Sequence, residues 1–156
     1  LVIKFQSTQS SQSWTLVNIY VPCQGETRTN YTNWLFSLNI TANKDWLLLG
    51  DFNYIRSPNN RNKPGGSIID MITFNDFIQT QSLVELPIKG RTFTWSNMQS
   101  APLLEKIGLG IHIRSLDSSF PNTLVLPLAK LVSDHVPCLI QIGTLIPKAK
   151  IFRFEN

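Results

Sequence analysis

The sequence predicts a layered α/β or α+β sandwich, and three observations carry that expectation. Segments that read as strands outnumber those that read as helices, and the two helical patterns are interspersed among the strands. Two apolar runs adjoin abrupt polar clusters: 46–49 runs into Gly50-Asp51-Phe52-Asn53, and Ser133-Asp134-His135 runs into 137–142. The chain has 156 residues, 42% of them hydrophobic and only 15% charged, which is one domain's worth of sequence with enough apolar mass for a core.

The elements follow in order. Residues 1–6 and 14–21 read as strands joined by a Ser/Gln-rich hairpin loop over 7–13, and Pro22 ends the second. In that second strand Leu16, Asn18 and Tyr20 share one face, with Val17, Ile19 and Val21 on the other. Tyr31, Trp34, Leu35 and Leu38 recur at helical spacing, which predicts a helix over 29–40 capped by Thr27 or Thr29. After the strand into Asp51 comes a loop over 56–66 that sets Arg56, Arg61 and Lys63 among Pro, Asn and Gly. A second helix over 70–81 turns Met71, Phe74, Phe77 and Ile78 inward. Short strands at 83–86 and 92–95 flank a turn at Lys89-Gly90, and an apolar but Gly-broken segment covers 103–113. Strands at 124–132 and 137–142 complete the pattern, with no internal repeat.

Composition narrows the classes. Lys and Arg number 14 against 10 Asp and Glu, a modest formal net charge of +4 that suits a polyanionic partner without demanding one. No apolar run reaches the roughly 18 residues needed to span a bilayer. Cys23 and Cys138 show no metal-ligand spacing and read as small core residues in a reducing compartment. The Asn30-Tyr31-Thr32 and Asn39-Ile40-Thr41 triplets read as chance glycosylation patterns. The chain opens at Leu1, inside a strand-like pattern, as a segment of something longer would.

The chemistry concentrates in the two polar clusters. Residues two apart on an extended strand point the same way, so Asp51 and Asn53 should face the same mouth while Phe52 turns into the core. Asp134 and His135 sit on the turn leading into a strand. Acid, amide, acid and imidazole at strand ends are the parts for metal-assisted phosphoester hydrolysis.

Five pieces in order complete a resemblance. They are Asn18-Ile19-Tyr20-Val21-Pro22, Gly50-Asp51-Phe52-Asn53, Arg61-Asn62-Lys63-Pro64-Gly65-Gly66, Gly90-Arg91-Thr92-Phe93-Thr94-Trp95-Ser96-Asn97 and Ser133-Asp134-His135. Together they resemble the endonuclease/exonuclease/phosphatase superfamily, and within it the endonuclease domain of plant non-LTR (LINE-type) retrotransposon proteins. The resemblance implies a four-layer β-sandwich with flanking helices, covering 1–145 and incomplete for lack of its N-terminal strands. Residues 146–156 resemble the connector toward a fused reverse transcriptase. It implies Mg²⁺-dependent cleavage of DNA in a nuclear or cytoplasmic setting. His135 would contact the scissile phosphate, Asp134 would help hold the metal, Asp51 would orient or deprotonate the attacking water, and Asn53 and Tyr20 would donate to phosphate oxygens. Arg61, Lys63 and Arg91, with Arg56, would meet the phosphate backbone, whereas Trp95 reads as a packing residue rather than a DNA wedge.

Two departures bear on activity. Where the family carries an Arg-(Ile/Leu)-Asp segment whose Asp orients the histidine, this chain has Lys106-Ile107-Gly108, followed by Leu109-Gly110 in place of bulky aromatic residues. By analogy with removing the Asp partner of a serine protease's histidine, that loss is worth on the order of 10⁴ in rate. The family's first strand and its metal-binding Glu fall upstream of anything matching Leu1, which predicts weak or lost Mg²⁺ binding and an uncovered sheet edge. The leading expectation is therefore a remnant DNA endonuclease, a hydrolase that is weak or inactive. The competing expectations are a non-catalytic nucleic-acid-binding module and a phosphatase acting on a small phosphorylated lipid or nucleotide.

Overall fold

In a computed structural model of the chain, the structure describes residues 1–6, 8, 13–38, 40, 45–113, 120–130 and 132–143. The connector expected over 146–156 and most of the 7–13 loop lie outside the described residues. The elements are β1 (Val2–Gln6), β2 (Ser13–Tyr20), α1 (Gly25–Ser37), β3 (Asp45–Asp51), a 3₁₀ turn (Pro58–Asn60) and α2 (Ile68–Thr80), then β4 (Leu83–Glu85), β5 (Trp95–Ser96), β6 (Leu104–Glu105), β7 (Gly108–Ile113), β8 (Leu124–Pro127) and β9 (Cys138–Gln141). This is the expected mixed α/β sandwich, with several sheets and few helices.

A five-stranded sheet in the order β1-β2-β3-β7-β4 organises the molecule. β2 and β3 run parallel, and the other pairs are antiparallel. One face carries Val17, Ile19, Leu48 and Ile111, which pack with Phe52, Phe74, Phe77 and Ile78 from the side of α1 and α2. The other face carries Leu47 and Leu49, which meet Val125 and Ile140 of the two-stranded β8–β9 sheet. β5 and β6 form a second small ladder. β1 lies at the edge of the main sheet, and Leu1, Val2, Ile3 and Phe5 are exposed there, the uncovered apolar edge that the sequence predicts.

α2 buries the four side chains its periodicity nominates, Met71, Phe74, Phe77 and Ile78, and begins under a Ser67 cap whose hydroxyl accepts from the Asp70 amide at 3.1 Å. α1 departs from expectation. It starts at Gly25 rather than near 29, its N-cap is Gln24 with no side-chain cap bond, and it stops at Ser37. Apolar spacing marks only the buried stripe of a helix, and the first turn of α1 is largely open to solvent, so the pattern starts late.

The turn at Gly90 exists, with φ +77°, but 83–86 and 92–95 do not form a hairpin across it. β4 pairs with β7 and β5 with β6, while Ile88 bridges to Val125. β8 ends at Pro127 instead of reaching 132. The Gly-broken segment supplies β7, an interior strand, so its glycines do not prevent pairing. A Cβ at Gly110 would meet Leu86 Cδ1 at 2.8 Å and Leu49 Cδ2 at 3.1 Å; these leucines fill the volume an aromatic residue would need. Cys23 and Cys138 are both exposed, correcting their reading as core residues; one follows the end of β2 and the other opens a thinly covered strand.

Candidate active site

Parallel pairing creates the first half of the site. In the β2–β3 register Tyr20 lies opposite Asp51, so both residues arrive together at the C-terminal ends of neighbouring parallel strands. The close approach depends on Gly50, where φ is +133° and a Cβ would fall 1.9 Å from the Ile19 carbonyl oxygen. Tyr20 is 66% exposed and lines the cleft, so it is no core residue.

Phe52 is fully buried as expected, but the strand does not carry on to Asn53. Asn53 adopts a left-handed conformation, φ +50°, which Asn tolerates better than most residues. Three contacts hold it there. Its backbone N–H donates to Asp51 Oδ1 at 3.0 Å, its Nδ2 donates to the Val21 carbonyl at 2.6 Å, and its own carbonyl accepts both terminal nitrogens of Arg28 at 3.1 Å.

Arg28 is the residue sequence reasoning missed. Its side chain is 14% exposed, and its guanidinium donates also to the Pro22 and Cys23 carbonyls, pairs with Asp70 at 2.9 Å and lies 4.0 Å above the Tyr54 ring. The available signal was a cation three and seven residues ahead of Tyr31 and Leu35, on the buried stripe of α1.

The second half comes from the β5 region. Ser96 N–H donates to the Asp134 carbonyl at 3.0 Å and Val136 N–H to the Thr94 carbonyl at 2.8 Å, a short ladder that sets Trp95 across from His135. The Trp95 indole donates to Asp134 Oδ2 at 3.0 Å, so Trp95 positions a carboxylate as well as packing beside Ile107. The two halves meet where His135 Nε2 stands 3.6 Å from Asp51 Oδ2. Tyr20, Asp51, Asn53, Asp134 and His135 thereby line one cleft of about 600 Å³. Burial pushes the Asp51 carboxyl up, opposed by the Asn53 N–H and the charge of His135. The Trp95 indole holds the exposed Asp134 carboxyl below its usual range.

Gly108 lies directly opposite Asp51 in the β3–β7 register. A Cβ there would find its nearest neighbour, Thr94 Oγ1, at 3.6 Å, an ordinary contact, and the glycine leaves this place beside Asp51 without a carboxylate. The basic residues nominated from sequence are placed differently. Arg61 Nε stands 3.3 Å from Glu105, Arg56 donates to Glu85 at 2.7 Å, and Lys63 donates to the Ala101 carbonyl. Arg91 is exposed and has no ion-pair or hydrogen-bond partner among the described residues.

Mg²⁺ requires near-octahedral oxygen ligation, commonly from one or two carboxylates with waters and substrate phosphate. Among the described residues no three His, Cys, Asp or Glu side chains converge as a cage. Asp51 already accepts from Asn53 and faces His135, and Asp134 accepts from Trp95. Asp51 and Asp134 are two carboxylates lining one cleft, which is the number Mg²⁺ commonly takes from protein, with water and substrate phosphate completing the shell.

The fold is shared with solved exonuclease, endonuclease and phosphatase structures. Among solved structures, the chain is similar to the 3′ phosphatase NExo from Neisseria bound to a product DNA hairpin, with a TM-score of 0.65 and 16% identity, over 83% of this chain and 61% of that one. It is also similar to the endonuclease domain of TRAS1, a telomere-specific non-LTR retrotransposon (TM-score 0.67, 12% identity, 92% of this chain and 69% of that one). A third is the catalytic domain of Xenopus laevis APE2 (TM-score 0.62, 15% identity, 91% and 54%). The likeness is one of fold, and the chain spans about three fifths of the Neisseria protein. No family model and no curated protein matches the sequence.

Proposed function

We propose that this chain is an impaired DNA endonuclease of the retroelement type, which binds the phosphodiester backbone in the Tyr20–His135 cleft and hydrolyses it slowly or not at all. One observation carries the reading: the polar residues of three separate segments converge on a single cleft, with His135 3.6 Å from Asp51. Its setting supports it, because solved structures of the same fold include a phosphatase bound to DNA and a retrotransposon endonuclease domain.

In this reading His135 stabilises charge developing on the scissile phosphate. Tyr20 donates its hydroxyl to a phosphate oxygen, and Asn53 donates the amide hydrogen not committed to Val21. Asp51, its carboxyl raised by burial, takes the proton of the attacking water. Impairment follows from Gly108, which puts no carboxylate beside Asp51 to orient the imidazole. The plant LINE-type motifs extend the proposal to a protein fused to a reverse transcriptase and working in the nucleus or cytoplasm.

The test is nicking of supercoiled plasmid with Mg²⁺ by this chain and by His135→Ala, alongside a mobility shift on the same DNA. We expect a shift and no appreciable nicking by either protein. Nicking abolished by His135→Ala would overturn the impairment, and absence of any shift would overturn the binding.

A further inference from the structure

A second cavity adjoins the first at Trp95. Trp95 lines both the 600 Å³ cavity and a second of about 330 Å³, whose other walls include Arg91, Thr92, Phe93, Lys130 and Val136. The charge of the two cavities differs in kind. The first holds Asp51, Asp70, Glu105 and Asp134, while the second is lined, among the described residues, by two cations and no acidic residue. Arg28, Arg56, Arg61 and Lys106 are each paired with a carboxylate. Among the described residues Arg91 has no such partner, and Lys130 donates only to the main-chain carbonyl of Asp134, at 3.0 Å. Two uncompensated cations and a half-buried phenyl ring in one groove present a place for an anion attached to a flat or apolar body.

We propose that the Arg91–Phe93–Lys130 cavity is a second phosphate subsite, so that the protein takes a polynucleotide strand, not an isolated phosphate compound, and reads two successive phosphates. The proposal rests on the reading that the Tyr20–His135 cleft holds the first phosphate. The ladder from Thr94–Ser96 to Asp134–Val136 fixes the two places relative to each other. A strand seated on His135 crosses the Trp95 ring before meeting Arg91 and Lys130, and Phe93 supports the sugar or base between them. This also reassigns the basic residues: the strand is met on the β5 side of the cleft, while Arg61 is engaged by Glu105.

Calorimetric titration of the intact chain with thymidine 5′-monophosphate and with single-stranded dT₄ tests this. We expect dT₄ to bind at least about tenfold more tightly than the mononucleotide. Arg91→Ala and Lys130→Ala should each weaken dT₄ about 3- to 10-fold and reduce its logarithmic salt slope by about 0.7, the increment for one phosphate of a single strand. Mononucleotide affinity should stay unchanged, and Arg91→Lys should restore most of the loss. Equal weakening of both ligands, or unchanged dT₄ affinity, overturns the second subsite. His135→Ala addresses the first phosphate separately, because it should weaken both ligands. If it weakens neither, the cleft reading fails, whatever the Arg91 variants do. No binding of either ligand by the parent chain overturns both.

Discussion

The two faces of the five-stranded sheet are unequally covered, and the candidate site is assembled from both. On the helical face, Phe52, Phe74 and Phe77 are wholly or almost wholly buried, with Phe74 in ring contact with Phe52, Phe77 and Tyr54. On the opposite face, β8 and β9 cover the sheet with four residues each, and Leu128, Val132 and Leu139 are exposed. Asp51 and Asn53 come from beside the dense core; Asp134 and His135 come from the thin layer. Half of the site is therefore held by packing, and half by a few hydrogen bonds from β5.

The largest expected effect breaks the dense side. Phe74→Ala should cost about 3–5 kcal/mol in a denaturant titration, because it leaves a cavity among rings that cannot close over it. Leu139→Ala, at a side chain 46% exposed, should stay within about 0.5 kcal/mol. Comparable losses at the two positions would mean that the layers are equally consolidated.

Next is the link from core to site. Arg28→Ala strips the Asn53, Pro22 and Cys23 carbonyls of their charged donor and should cost about 2–3 kcal/mol. It should also free the Asn53 N–H from Asp51, so that a side-chain carbon NMR titration finds the Asp51 carboxyl higher than in the parent. Ile78→Ala, destabilising but two turns further along α2 than Asp70, should leave the titration where it was. If both variants move Asp51 alike, Arg28 is a structural residue and positions nothing.

The smallest effect concerns pH. Because burial raises Asp51 in the folded chain, the native state holds that proton more tightly than the unfolded state does. Stability is thus lost as the pH rises from the ordinary carboxylate value through the raised one. Asp51→Asn removes the penalty, so its melting temperature at pH 7 should exceed the parent's, and the gap should close below about pH 4. A gap that widens in acid would mean that the charged form is the one stabilised by folding.

What was legible in the sequence follows the same division. α2 and its four inward residues announce themselves because a helix packed on a core repeats its apolar residues at its own period. The polar clusters at 50–53 and 133–135 stand out because apolar runs stop against them. What no local pattern carries is partnership. That Tyr20 stands beside Asp51, or that β4 joins β7 and not β5, depends on pairing between distant segments. Arg28 was hidden for a related reason: it acts on main-chain carbonyls, and a carbonyl leaves no signature in residue identity. The pairing of the basic loop is equally invisible, since Arg61 meets Glu105, 44 positions further along the chain.

Gly50 makes the site vulnerable in a way that its chemistry does not. A single-base change in a glycine codon usually inserts a side chain, and here even a methyl group would land on the Ile19 carbonyl. The strands would have to part at the point where Tyr20 and Asp51 are brought together. In a lineage drifting without selection, this cleft can be erased with every one of its polar residues still in place. A related chain that keeps Asp51 and His135 but not Gly50 would then resemble an active protein in its alignment and not in its geometry.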